Sequence, residues 1–211
     1  MTTEQMDWLD DHAAVRPRRM GDRPPDTPAE AAVRTLLEHV GEDPQREGLR
    51  DTPGRVARAW TEMTCGYRLD PVDILRSALF TEPGADQLVV AGPFEFTSLC
   101  EHHCLPFAGV AVVGYVPADG RITGLSKLPR AVLALAQRLQ VQERLTAEIA
   151  DAIETALHPQ GVAVVLTAVH SCAELRGVKT RTPFTTSDMR GCLRNEQAAR
   201  AELLAVAGRQ W

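Results

Sequence analysis

Residues 94–116 read FEFTSLCEHHCLPFAGVAVVGYV. Two apolar arms rich in aromatic and β-branched residues enclose a polar knot, SLCEHHCLP (98–106). FAGVAVVGYV (107–116), ended by PADG from Pro117, reads as a strand, and residues 88–90 with 94–96 read as its partner. Downstream, GVAVVLTAVH (161–170) is a further apolar strand, and the Thr-rich GVKTRTPFTTS (177–187) reads as its neighbour. Between these pairs the period becomes helical, with Leu128, Val132, Leu135 and Leu139 in one series and Leu145, Ile149, Ile153 and Ala156 in the next. Upstream lie more helices. Thr27, Pro28 and Glu30 supply N-cap chemistry for Val33, Leu36, Leu37 and Val40, with Gly41 as the stop. A second helix starts at Thr52 and Pro53 with Val56, Trp60 and Met63 facing inward, a third at Asp70 and Pro71, and a closing one spans 195–206. The order predicts an α+β fold: a β-β-α-α-β-β antiparallel sheet with helices on one face, preceded by an N-terminal helical region. Three segments are expected: an arm over 1–26, helices over 27–80 and the main domain over 81–211.

Composition narrows the function classes. The 211 residues carry 23 Lys+Arg against 28 Asp+Glu, a net charge of −5, so no global positive field attracts nucleic acid or a membrane surface. Neither is expected as a partner. No run approaches the roughly 20 apolar residues of a membrane span, and the first residues mix acids with arginines where a secretory signal needs an apolar stretch. Five cysteines cannot all pair with one another, which predicts a reducing, cytoplasmic setting where Cys and His clusters serve metal or catalysis.

The knot holds Cys100, Glu101, His102, His103 and Cys104; at the end of the later strand come His170, Ser171 and Cys172. Zinc prefers thiolate and imidazole, and a catalytic zinc keeps three protein ligands with a fourth position open. Cys100, His103 and Cys172 make such a set; buried thiols with hydrogen-bonded histidines are the alternative reading of the same spacing. His102 and His170 then stand beside the metal as acid/base groups or as packing. Cys65, Cys104 and Cys192 read as small buried hydrophobes. GLSKLPR (124–130) enters a helix with Ser126 as N-cap, so Lys127 and Arg130 lie one turn apart beside exposed N–H groups. Arg55 and Arg58 repeat that spacing, and Arg176 follows Cys172; a solvated face is the alternative for each. Gln142 and Glu143 open the longest helix, where a carboxylate is favoured in any case.

Taken together, GLRDTPGRVA (48–57), SLCEHHCLPFAG (98–109), GLSKLPR (124–130), QVQERLT (140–146), HSCAELRG (170–177) and GCLRNEQAAR (191–200) resemble the zinc-dependent GTP cyclohydrolase I enzymes, in the family's order. The resemblance implies the tunnelling fold, a homo-oligomer that is a decamer of two stacked pentamers, and active sites shared between subunits. It implies zinc (Zn2+) on Cys100, His103 and Cys172, and proton transfer by His102 and His170. Glu143 with Gln142 would hold the guanine edge, and Ser126, Lys127, Arg130, Arg176, Arg55 and Arg58 would surround the triphosphate. The implied reaction takes GTP and water to 7,8-dihydroneopterin triphosphate and formate, the first step of tetrahydrofolate and pterin synthesis. Cys104 and Leu193 depart from the family's bulkier residues without touching an implied ligand. Two rivals stand beside this reading: a tunnelling-fold relative acting on another pterin or deazapurine precursor, and a zinc-stabilised scaffold without catalysis.

Overall fold

Thr27 opens the first helix as its chemistry requires. Its hydroxyl accepts from the Glu30 N–H at 3.3 Å while the Glu30 carboxylate accepts from the Thr27 N–H at 2.8 Å, a closed capping box. Helix α1, Pro28–His39, ends where Gly41 takes φ +86°. The computed structural model describes residues 26–208, so all but Asp26 of the expected arm lies outside the described residues. These residues divide into two compact units, one ending at Glu62 and one starting at Met63. The first holds α1 and nearly all of α2, Thr52–Met63. No residue of α1 is buried, and Leu36 and Val40 of its apolar series are 63% and 70% exposed.

The sequence reading put the boundary at 80, yet residues 63–80 pack with the second unit. Asp70 caps α3, Pro71–Arg76, by accepting from the N–H groups of Val72 and Asp73, and α3 lies against the two long helices of that unit. A small sheet pairs β1, Leu79–Thr81, with β4, Arg121–Thr123. The main sheet contains β2, Val89–Cys100, β3, Leu105–Val116, β5, Leu139–Gln140, β6, Gly161–His170, and β7, Phe184–Gly191, in the order β5-β2-β3-β6-β7. β2, β3, β6 and β7 are antiparallel neighbours; β5 adds in parallel at the β2 edge. Two residues of β2, Gly92 and Pro93, oppose one of β3, a bulge with Gly92 at φ +125°. A side chain at Gly92 would meet the Ala111 carbonyl oxygen at 2.6 Å.

Helices α4, Lys127–Ala136, and α5, Gln142–Leu157, cover one face, where Val162, Val164, Leu166 and Ala168 join Phe107, Leu135, Leu145 and Ile149 in the main core. The expectation of helices on one face needs correction. Ala163 and Val165, the alternate residues of β6, face the other way and pack with Leu193 and Leu203 of α7, Cys192–Asn195, and α8, Gln197–Gly208. A strand apolar on both faces from Gly161 to Leu166 has two faces to cover, and Thr167 marks where the second cover stops. The closing helix is correspondingly split around Glu196.

The strand expected at 177–187 starts later, at Phe184. Gly177 and Lys179 adopt left-handed backbone, φ +66° and +51°, and Pro183 offers no N–H, so the stretch before Phe184 stays out of the ladder.

Candidate active site

The knot of the opening stretch is a tight hairpin end. Cys100 pairs with Leu105 as the last rung of β2 and β3, leaving Glu101 to Cys104 as a four-residue turn closed by the Cys104 N–H on the Cys100 carbonyl at 2.8 Å. Cys104, expected as a buried hydrophobe, is half-buried at φ +56° and finishes that turn. Register does the rest: Phe107 lies opposite His170 across the β3–β6 ladder, and Cys172 follows in the single turn α6, Ser171–Glu174. Cys100 is 4% exposed, and its Sγ, the Cys172 Sγ and a ring nitrogen of His170 all lie within 4.8 Å of one another.

This donor set suits zinc. Two thiols and an imidazole are its preferred ligands, and the electrostatics ask for a cation. Burial pushes the Cys172 thiol up, and Cys100 beside it pushes it further. A metal ion reverses both effects by compensating the thiolate charge.

His170 is held on three sides. Its ring stacks on Phe107 at 4.5 Å and 2°, meets Phe184 edge-on at 6.1 Å, and its Nε2 lies 2.9 Å from the Gln142 Oε1. Burial lowers its pKa, with the nearby Glu143 carboxylate acting in the opposite direction.

The expected trio is therefore met only in part. Cys100 and Cys172 come together, but the imidazole beside them is His170, whereas the His103 Nε2 lies 3.0 Å from an Arg176 Nη1. A guanidinium only donates, so the His103 Nε2 is an acceptor carrying a lone pair. Arg176 also donates to the Cys172 carbonyl at 3.4 Å, and the His102 ring stands edge-on to His103 at 6.5 Å.

Ser126 does not cap α4: its backbone is already helical, φ −68° and ψ −13°, its side chain makes no cap bond, and the Lys127 N–H is taken by the Gly124 carbonyl at 2.8 Å. Lys127 and Arg130 stand half-buried and exposed on the first turn of α4, which packs on β2. Arg55 and Arg58 belong to α2 of the first unit, where Arg55 pairs with Asp51 at 3.6 Å. Glu143 is exposed in the first turn of α5, but Gln142 is only 1% exposed and its amide is fully engaged within the protein. A groove of about 590 Å3 lined by Glu95, Thr97, Ala108, Val110, Leu133 and Gln137 contains none of the expected site residues.

Sequence reasoning missed the brace around the turn. Arg144 donates to Glu101 at 2.5 Å, to the Gln140 Oε1 at 3.0 Å and to the Leu139 carbonyl at 2.9 Å, tying the hairpin end to the start of α5. The Arg144 hydrogen bond holds the Glu101 carboxyl below the usual range. A carboxylate among histidines and an arginine in QERLT were visible as residues, but only the parallel β5–β2 pairing brings them together.

Comparison with known proteins bears on the family. A family model described as GTP cyclohydrolase I matches residues 29–208. The GTP cyclohydrolase 1 of Chlorobaculum tepidum is 52% identical over 178 residues, covering 84% of this chain and 79% of its own. That of Mycolicibacterium vanbaalenii is 53% identical over 178 residues, 83% and 87% of the two chains, and that of Streptococcus pyogenes 48% over 179, 84% and 91%. Among solved structures, an archaeosine synthase QueF-like protein in its apo form aligns with 51% of this chain and 96% of its own at 13% identity and a TM-score of 0.38. A family match over nearly all described residues, with relatives at about half identity, leaves one assignment: the chain belongs to the GTP cyclohydrolase I family.

Proposed function

We propose that the protein converts GTP and water to 7,8-dihydroneopterin triphosphate and formate, opening the guanine ring at C8. The observation that carries this reading is the meeting of Cys100, Cys172 and His170 within 4.8 Å at the ends of β2 and β6, the two strands that flank β3. Cys100, His103 and Cys172 would hold zinc, which when bound supplies a Lewis acid that makes water nucleophilic near neutral pH. The place of His103 on the turn that follows Cys100 supports it as the third ligand, with the Nε2 lone pair that accepts from Arg176 turned to the metal instead. His170 stands next to the thiols, takes a proton from the attacking water and passes it to the guanine ring nitrogen adjoining C8 as that ring is broken. His102 handles protons on the sugar side during the later rearrangement. Glu143 accepts from the guanine edge; Ser126, Lys127, Arg130 and Arg176 take the triphosphate through charge-assisted bonds.

Assembly follows from exposed structure. β7 leaves an unpaired edge, and Leu125, Leu175 and Val178 are 74%, 69% and 75% exposed. These features support a homo-oligomer of tunnelling type, a decamer of stacked pentamers by the resemblance. All five cysteines are unpaired and no helix among the described residues is long and apolar enough to cross a membrane, which supports the cytoplasm as the setting.

The test is incubation of the zinc-loaded protein with GTP and with guanosine, followed by oxidation and pterin fluorescence. Fluorescence from GTP and almost none from guanosine is expected. Equal turnover of both removes the triphosphate assignment, and chelation that dissociates the chain without an activity to lose would favour a scaffold.

A further inference from the structure

Gln142 opens α5 and is 1% exposed, yet it makes more side-chain hydrogen bonds than a helix start needs. Its Nε2 lies 2.9 Å from the Phe184 carbonyl, 3.1 Å from the Leu166 carbonyl and 3.2 Å from the Thr186 Oγ1. Carbonyls only accept, so the nitrogen end of the amide must face them; the flipped amide would set oxygen against oxygen in a buried site. The neighbouring hydroxyls agree. Thr146 donates to the Gln142 carbonyl at 2.7 Å, so the 2.6 Å contact between Thr146 and Thr186 takes its proton from Thr186, leaving the Thr186 oxygen open to the amide. Every proton in the chain thus has one direction. The chain ends at the Gln142 backbone carbonyl, and the amide so fixed turns its Oε1 to the His170 Nε2, 2.9 Å away. An amide oxygen only accepts, so that Nε2 carries a hydrogen.

We infer that Gln142 is a positioning residue that fixes the tautomer of His170: Nε2 is the protonated nitrogen and Nδ1 is left with the lone pair for proton exchange. The amide is then not a contact for the guanine edge, which falls to Glu143. Phe107 and Phe184 hold the plane of the ring, and Gln142 decides which nitrogen works. The role in turnover rests on His170 being the proton-transfer group proposed above; the tautomer rests on the hydrogen bonds alone.

Two measurements test it on the full-length, zinc-loaded protein. Magic-angle-spinning 15N NMR of histidine-labelled protein, with His170 assigned by loss of its signals in His170→Gln, should show neutral His170 with the hydrogen on Nε2. A hydrogen on Nδ1 overturns the inference whatever the variants do. Gln142→Leu should lower kcat by roughly 10- to 100-fold, the usual effect of losing a group that orients a site imidazole, with KM for GTP changed by no more than about 3-fold. A rise in KM at unchanged kcat would mark a substrate contact and overturn it. Should Gln142→Leu fail to fold, the parental spectrum still decides. If the parent spectrum agrees but GTP is not turned over, the proposed reaction fails while the tautomer stands.

Discussion

Cys100 ends β2 and Cys172 lies in the turn after β6, far apart in sequence, and their approach is the most specific chemical fact of the site. Zinc content should be about one per chain, and Cys172→Ala should lose it while Cys104→Ala keeps it. The histidines separate in the same assay. His103→Ala should lose zinc, whereas His170→Ala should retain it while pterin formation falls by roughly 10² to 10⁴, the usual loss for acid/base catalysis. Zinc retained in His103→Ala and lost in His170→Ala would make His170 the ligand. Arg176 donates to both the His103 imidazole and the Cys172 carbonyl; if it also takes the triphosphate as proposed, Arg176→Ala should cost roughly 10- to 100-fold in GTP affinity, the worth of a charge-assisted phosphate contact. Residue types alone made the two thiols legible, but not that His170 is the imidazole beside them. They did not show that Gln142 points inward, because that depends on β7 carrying the Phe184 carbonyl and the Thr186 hydroxyl past the start of α5.

At the scale of elements, β7 is the outermost strand and needs its own anchor. Arg190 supplies it: the guanidinium, 22% exposed, reaches Asp151 at 2.5 Å and Glu154 at 2.8 Å on α5, and Asp188 at 2.8 Å on its own strand. Its pKa is raised, first by the Asp188 hydrogen bond, so it remains charged wherever the protein is folded. Arg190→Ala should therefore destabilise by on the order of 1.5–3 kcal/mol, read as a lower denaturant midpoint. An unchanged midpoint would mean that β7 is held elsewhere. Gly92→Ala should also destabilise, because φ +125° and the 2.6 Å approach to the Ala111 carbonyl leave no room for a Cβ. Sequence patterning located β3 and β6 well, since both are long apolar runs. It placed β7 too early because threonines read as strand at 180 and 182, while the left-handed residues and Pro183 that keep the chain out of the ladder act through backbone geometry.

For the whole molecule, the α+β order was legible from periodicity, and both faces of β6 were apolar in plain view; what covered the second face emerged only when α8 folded back over it. The unpaired β7 edge and the exposed apolar residues predict association. Sedimentation should find a large symmetric oligomer, and a stable, fully active monomer would contradict it. The central claim is hydrolysis at C8 of GTP, and the most direct measurement follows that carbon: the zinc-loaded protein is given GTP labelled at C8, and label in formate is compared with pterin formed. The account predicts label leaving as formate, one for each 7,8-dihydroneopterin triphosphate; label retained in the nucleotide, or pterin formed without formate, would contradict it.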